Sequence, residues 1–289
     1  MGAPASSWHR RIAPKSPEAL ALRALTAAVL LAAFFAALLL LDRIWFAGLV
    51  GLVIAAAGHE WGRLSGLAAN ASLAYGLGMA ALYGALAWLW HPMGVADGPE
   101  RAVLAAAALF WIALVPLWLW RGLRPPRAWL ALTGVVVLVP TGLAAMSLPA
   151  DRLLLVLGLI WIADTAAYLA GRAFGKHKLA PSISPGKTWE GVAGAAAATL
   201  IYAIICALPG MALGAQVRGP GWMAYLAVVL LLCAVSIAGD LFESAIKRQA
   251  GAKDSGTLLP GHGGVLDRID SVASTLPLAA LLFHWMATK

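Results

Sequence analysis

The sequence predicts an all-α, polytopic integral membrane protein with about nine transmembrane helices. Of its 289 residues, 62% are hydrophobic and 12% are charged, and the mean hydropathy is +0.83. The charged share is about half that of a soluble globular domain. Apolar runs that cross a bilayer have to be helical, because a helix satisfies its backbone hydrogen bonds internally. This composition excludes a soluble enzyme, a disordered chain and a secreted disulfide scaffold.

Nine apolar runs are candidate spans. The first two are separated only by Asp42 and Arg43, so they form either a tight hairpin or a pair that does not cross fully. The fifth contains Pro140, where we expect a kink. The spans are predicted at residues 24–41, 44–58, 67–90, 102–120, 128–147, 152–172, 191–209, 222–239 and 271–287.

The distribution of Lys and Arg indicates the orientation. With the amino terminus in the cytoplasm, the inside segments hold 16 of the 21 basic residues and the outside segments hold 5. The positive-inside rule therefore predicts a cytoplasmic amino terminus and explains the net charge of +8 without a nucleic-acid partner. An eight-span alternative merges the first two runs, but the basic stretch at residues 9–11 disfavours it. The first run resembles a signal peptide without a clear cleavage site, so we interpret it as a retained anchor.

Acidic residues are concentrated in the second half of the chain. Eight of the thirteen Asp and Glu residues lie from Asp151 onward, and seven of these fall in or beside the last two cytoplasmic loops. We therefore interpret residues 1–150 as a transmembrane scaffold, the first five spans. Residues 151–289 form the predicted catalytic region, with cytoplasmic loops at 173–190 and 240–270.

The end of the eighth span combines carboxylates with a hydroxyl and a cation. If its helix continues past the bilayer, Asp240, Glu243, Ser244 and Lys247 share one helical face. Such a face could hold a metal ion and a phosphate. The alternative is a solvated juxtamembrane turn with ion pairs.

The segment that follows adds two carboxylates and a glycine-rich stretch. Glycines on both sides of His262 allow backbone amides to approach an anion closely. Asp267 and Asp270 are three residues apart at the start of the ninth helix. Together with Asp240 they could close around a divalent cation, and oxygen ligands suit Mg²⁺.

The other cytoplasmic loop contains Gly-Lys-Thr, the tail of a P-loop. It is not a P-loop, because Pro181 stands where the first glycine is required and no strand is predicted before it. Ser184, Lys187 and Thr188 still offer hydroxyls and a cation suited to phosphate. The alternative is a basic loop facing anionic lipid.

One carboxylate lies within a predicted span. An ionised Asp164 near the bilayer centre costs about 2.5–3.5 kcal/mol. Tyr168 and Arg172 share its helical face, so we expect a polar stripe lining a cavity at the membrane boundary. The alternative is an interhelical hydrogen bond. His59 and Glu60, at the end of the second span, are interpreted as interface residues without a function.

Residues 244–270 resemble the signature of the phosphatidate cytidylyltransferases, the CDP-diacylglycerol synthases. Segments 164–168 and 184–191 are also similar to that family, whereas the first 150 residues match it only in being hydrophobic spans. The fixed signature positions are Ser244, Lys247, Arg248, Lys253, Asp254, Pro260, His262, Gly263, Gly264, Asp267, Arg268 and Asp270.

The resemblance implies that CTP and phosphatidate react to give CDP-diacylglycerol and pyrophosphate. It also implies a bacterial inner-membrane enzyme with its active site facing the cytoplasm, dependence on Mg²⁺ with K⁺ as an optional second cation, and a homodimer. Asp240 and Asp267 then hold the metal. The expected catalytic residues are Asp240, Lys247, Arg248, Asp267 and Arg268. The expected substrate-binding residues are Asp164, Tyr168, Ser184, Lys187, Ser244, Lys253, Asp254, His262, Gly263, Gly264 and Asp270.

Three other functions compete with this one. A CTP-dependent polyprenol or dolichol kinase would release CDP rather than pyrophosphate. A CDP-alcohol phosphotransferase would need an Asp-Gly-x-x-Ala-Arg opening, but Asp97-Gly98 continues into Pro99-Glu100-Arg101. A non-catalytic transporter or scaffold for anionic lipid would use Asp164 for transport and would not need the Lys-Asp and His-Gly-Gly elements.

Overall fold

The computed structural model describes residues 17–90, 99–214, 216, 217, 219, 221–259 and 263–287. These residues form nine helices and one short hairpin. The helices are α1 (Pro17–Leu40), α2 (Arg43–Leu64), α3 (Ala69–Trp90), α4 (Pro99–Arg121), α5 (Arg127–Ser147), α6 (Ala150–Phe174), α7 (Trp189–Cys206), α8 (Gly221–Gln249) and α9 (Leu266–Ala287). The hairpin consists of β1 (Lys178–Ala180) and β2 (Ser184–Thr188).

The predicted all-α polytopic membrane fold is confirmed. Each helix from α2 to α9 is long and apolar enough to cross a membrane, and in α1 the described apolar stretch is shorter, Leu31–Leu40. The predicted break at Asp42 is also confirmed, because α1 ends at Leu40 and α2 begins at Arg43. The second helix begins at Arg43 and ends at Leu64, six residues beyond the predicted end of the span. The extra turns are buried in the bundle, which the sequence pattern did not indicate.

The innermost helices are α5 and α9. In the most apolar 18-residue stretch of each helix, 61% of the residues are buried in α5 and 50% in α9, against 28–39% in the other spans. Both helices continue through an internal proline, Pro140 in α5 and Pro277 in α9. The peripheral helices keep many large apolar side chains exposed, as expected where the neighbour is lipid.

A cluster of aromatic rings joins α8 to α2 and α4. The ring of Phe242 is 1% exposed, and its centroid lies 5.2–6.4 Å from those of Trp61, Phe110, Trp111 and Trp118. A π-helical turn at Phe110–Leu114 interrupts α4 beside this cluster. Edge-to-face contacts of this kind fix the position of α8, which carries much of the polar chemistry described below.

The carboxyl ends of α2, α4, α6 and α8 meet at one end of the bundle. Gln249 Nε2 donates to the carbonyl of Pro125 at 2.9 Å, and Arg248 Nε donates to the carbonyl of Ile183 at 3.3 Å. Glu60, near the end of α2, contacts the segment that precedes α9. This gathering agrees with the predicted alternation of the spans. We call it the loop end of the bundle.

The small antiparallel hairpin β1–β2 was not predicted. It pairs Lys178 with Thr188 and Ala180 with Ser184. Thr188 then caps α7, because its hydroxyl accepts a hydrogen bond from the amide of Gly191 at 3.1 Å. The hairpin therefore fixes Lys187 two residues before Trp189, the first residue of a membrane helix.

Candidate active site

A cavity of about 500 Å³ lies at the loop end between α6, β2, α8 and α9. Apolar residues of the helices form part of its wall. Its polar side chains come from four segments that are far apart in the sequence: Asp164, Tyr168, Arg172, Ser184, Lys187, Thr188, Asp240, Asp267, Arg268 and Asp270. Eight of the predicted site residues are thus brought together in one place. We call it the polar cavity.

Lys187 and Asp240 form an ion pair across the polar cavity. The distance from Lys187 Nζ to Asp240 Oδ2 is 2.8 Å, and the lysine also donates to the carbonyl of Ile237 at 3.4 Å. The other oxygen of Asp240 accepts a hydrogen bond from Ser244 Oγ at 3.3 Å. An ion pair therefore connects the hairpin to the second half of α8.

A second lysine lies between two carboxylates. Lys247 Nζ is 2.5 Å from Glu243 Oε2 and 2.6 Å from Asp267 Oδ1, and all three side chains are at most 11% exposed. The prediction that Asp240, Glu243, Ser244 and Lys247 share one helical face is confirmed by these contacts. The pairing also explains how α8 can bury a cation, since an unpaired buried charge is costly.

The carboxylate of Asp267 is held on both sides. Oδ1 faces Lys247, and Oδ2 accepts hydrogen bonds from the amides of Ser255 at 3.0 Å and Gly264 at 2.8 Å. Gly263 has a φ of +83°, and a Cβ there would lie 2.8 Å from Asp267 Oδ2. Glycine is required at this turn for both reasons.

The glycine-rich segment therefore differs from its predicted role in one respect. The amide of Gly264 donates to Asp267 and so orients a carboxylate of the protein. Its predicted contact with a substrate anion stays a prediction. His262 lies outside the described residues.

Close packing of α8 against α9 brings further carboxylates together. A Cβ on Gly239 would lie 2.8 Å from the backbone oxygen of Asp270, so only glycine permits this approach. Asp270 consequently lies within electrostatic range of Asp240 and Asp164. The cavity thus has four carboxylates beside Lys187, Arg172 and Arg268, so it offers oxygen ligands for a cation next to positive groups suited to phosphate.

The polar stripe on α6 lines the cavity, as predicted. Asp164, Tyr168 and Arg172 all contribute to its wall, and Arg172 Nη1 donates to the Tyr168 hydroxyl at 3.1 Å. Arg172 was recognised as part of this stripe but was not assigned to the site. Its position one further turn along the same face is the signal that would have included it.

Three predicted site residues lie elsewhere. Arg248 donates to the carbonyls of Ile183 and Ala252, at 3.3 and 3.1 Å, and so connects the hairpin to the segment after α8. Lys253 is exposed. Asp254 lines another cavity, of about 530 Å³, next to Glu60. The structure gives these residues no contact with the polar cavity.

Glu60 was wrongly interpreted as an interface residue. Its side chain is buried and accepts hydrogen bonds from the Ser255 hydroxyl at 2.9 Å and from the amides of Val265 and Leu266 at 3.0 and 2.8 Å. Glu60 therefore fixes the segment that presents Asp267. An acidic residue that follows an apolar run is costly to bury, and this cost was the signal that could have identified it.

The carboxylates of the polar cavity suit a hard divalent cation. Among the described residues, no three His, Cys, Asp or Glu side chains form a ready metal cage. Asp240 and Asp267 nevertheless face the same cavity. Mg²⁺ commonly takes one or two protein carboxylates and completes its shell with water and substrate phosphates. The donor set therefore fits Mg²⁺ when a phosphate substrate supplies the remaining ligands.

Comparison with known proteins places the chain in a family. The model of the cytidylyltransferase family matches residues 21–286. The phosphatidate cytidylyltransferase of Pseudomonas aeruginosa is 40% identical over 293 aligned positions, which cover 92% of this chain and 97% of that protein. Proteins of the same name from Haemophilus influenzae and Brucella suis are 44% and 50% identical, over 46% and 43% of this chain and 46% and 42% of their own lengths. The chain therefore belongs to the cytidylyltransferase family.

Proposed function

We infer that this chain is a phosphatidate cytidylyltransferase, which converts CTP and phosphatidate into CDP-diacylglycerol and pyrophosphate. The observation that carries this inference is the polar cavity. It gathers lysine, arginine and carboxylate side chains at one end of an apolar bundle, in a chain whose relatives bear that name. A lipid phosphate and a water-soluble nucleotide can meet only at such a boundary.

The reaction requires one bond to form and one to break. A phosphate oxygen of phosphatidate attacks the α-phosphorus of CTP, and the bond from that phosphorus to the bridging oxygen breaks, so that pyrophosphate leaves. The second pKa of a phosphate monoester is about 6, so the attacking oxygen is already ionised near neutral pH. The reaction needs no general base, and we expect no covalent intermediate with a side chain.

Positioning and charge then account for catalysis. Both substrates are anions that repel each other, and the cavity presents Lys187, Arg172 and Arg268 to them. Lys247 contributes indirectly, because it contacts Asp267 and balances the charge of that carboxylate. Cations that are fixed before the reaction stabilise charge developing on the transferred phosphoryl group without reorganising.

We propose that Asp240 and Asp267 hold Mg²⁺, with K⁺ as an optional second cation. When bound, the metal would neutralise phosphate charge and help to align the substrates. The fit of the donor set supports this assignment. Activity should disappear after treatment with EDTA and return with Mg²⁺. Unchanged activity in the chelated protein would contradict metal dependence.

We also propose that the polar cavity faces the cytoplasm from a bacterial inner membrane and that the enzyme is a homodimer. The excess of Lys and Arg in the segments at the loop end supports the orientation. The resemblance described above supports the dimer. Light scattering of the purified protein, corrected for detergent, should give twice the chain mass.

The decisive experiment uses purified protein in detergent with CTP, Mg²⁺ and phosphatidate. The CTP carries its label on the α-phosphate in one reaction and on the γ-phosphate in the other. We expect the α-label in the lipid product and the γ-label in pyrophosphate. A γ-labelled lipid and released CDP would identify a kinase. Unconsumed CTP together with lipid binding would favour a transporter or scaffold.

A further inference from the structure

A second, apolar cavity adjoins the polar one. Its volume is about 240 Å³, and it lies between α1, α2, α5, α6 and α9. Apart from Thr141 and Arg268, its wall is apolar and includes Phe34, Val50, Ala145, Leu157 and Val272. We call it the apolar cavity.

The two cavities lie along the same two helices, α6 and α9, and have one lining residue, Arg268, in common. On α6, Trp161 lines the apolar cavity and Asp164, one turn later, lines the polar cavity. On α9, Ile269 lines the apolar cavity and its neighbour Asp270 lines the polar one. Arg268 lines both, so it stands at the boundary between them.

The apolar cavity extends from this boundary along α9, away from the start of that helix. Along α9 it runs from Arg268 to Leu276, a rise of about 12 Å in a helix. It thus begins beside a guanidinium group and continues among hydrocarbon side chains. An amphiphile fits this change from charged to apolar side chains, with its anionic head group near Arg268 and its apolar tail in the cavity.

We propose that the apolar cavity holds the part of one acyl chain of the lipid substrate nearest to the head group. The lipid phosphate then lies in the polar cavity, and Arg268 marks the junction between head and tail. The cavity is smaller than the ligand pockets of about 300–1,000 Å³ that enclose whole small molecules, so it takes a segment of one chain. This proposal rests on the proposed function and adds a substrate subsite to it.

Filling the cavity tests the proposal. Ala145→Phe adds a ring to its wall, and Ala197→Phe, on the exposed face of α7, is the matched control. We expect Ala145→Phe to lower kcat/KM for dioleoyl phosphatidate about tenfold or more, because a filled pocket excludes methylene groups. The KM for CTP should stay within about twofold of the wild-type value, and so should the kcat/KM for a diacetyl substrate, because its two-carbon chains are too short to fill the cavity. An equal loss for both chain lengths, or no loss, would overturn the proposal.

Photolabelling gives a readout that does not depend on the variant. Wild-type protein is incubated with phosphatidate that carries a diazirine on the third or fourth carbon of an acyl chain, and labelled peptides are identified by mass spectrometry. We expect labels around Phe34, Val50 and Ala145 that excess unlabelled phosphatidate removes. Labels confined to other surfaces would refute the acyl subsite while leaving the proposed reaction intact. If wild-type protein consumes neither CTP nor phosphatidate, the proposed function fails instead.

Discussion

At the scale of single residues, the polar cavity depends on carboxylates whose charge is balanced by lysines. Lys187 pairs with Asp240, and Lys247 pairs with Asp267 and Glu243. Each lysine thus holds a carboxylate in a fixed position. Lys247 keeps Glu243 as a partner when Asp267 loses its charge, so that change should affect catalysis more than folding.

Asp267→Asn should lower turnover at least about 100-fold, the scale reported for the loss of one electrostatic catalytic group. An asparagine keeps the shape and can still accept a backbone hydrogen bond, but it loses the charge that faces the cavity and Lys247. Turnover is measured together with the gel-filtration profile, which should not change. Asp151→Asn, exposed at the opposite end of α6, is the control. Turnover like that of the wild type would refute the metal assignment.

Lys187→Ala should raise the KM for CTP or phosphatidate about tenfold with a smaller effect on kcat, as expected for the loss of a binding contact. The lysine lies 2.8 Å from Asp240 and lines the polar cavity. Steady-state kinetics with each substrate varied in turn gives the two constants. Lys176→Ala, exposed just before the hairpin, is the matched control. Unchanged kinetics in Lys187→Ala would mean that the hairpin contacts anionic lipid rather than substrate.

At the scale of elements, the segment between α8 and α9 is held by a helix that is distant in the sequence. Glu60 on α2 lies 195 residues from Ser255, with which it forms a hydrogen bond. The same carboxylate accepts the amides of Val265 and Leu266, the latter being the first residue of α9. The first half of the chain therefore supports the site as well as the bundle.

Glu60→Gln should destabilise the protein by about 1–3 kcal/mol, because an amide group would place a donor against buried donors. The 250–259 segment should also become more sensitive to protease. Thermal unfolding in detergent measures the first effect, and limited proteolysis with mass spectrometry measures the second. Asp42→Asn, an exposed acidic position in the turn between α1 and α2, is the control. Equal stability and equal cleavage in the two variants would contradict the anchoring role.

At the scale of the whole molecule, the orientation of the bundle places the polar cavity on one side of the membrane. Lys176→Cys, in a background lacking Cys206 and Cys233, should react with a membrane-impermeant maleimide in inside-out vesicles only. Asp151→Cys, at the opposite end, should react in right-side-out vesicles only. Labelling is read from the mass of the protein. The reverse pattern would place the cavity on the outer side.

The sequence by itself determined the order of the apolar helices, the break at Asp42 and the shared face of α8. These features depend on neighbouring residues and on helical periodicity, which a single chain displays directly. The hairpin that carries Lys187 escaped prediction, because a short polar loop has no apolar period from which its backbone can be inferred.

Only the tertiary structure decided which charges meet. It paired Lys187 with Asp240, directed Glu60 into the loop before α9 and left Arg248 outside the cavity. Which charged side chains meet depends on how closely the helices pack. Gly239, for example, allows α8 to pack closely against α9. The free energy of a buried charge depends on partners that are far away in the sequence, so local pattern alone could not assign them.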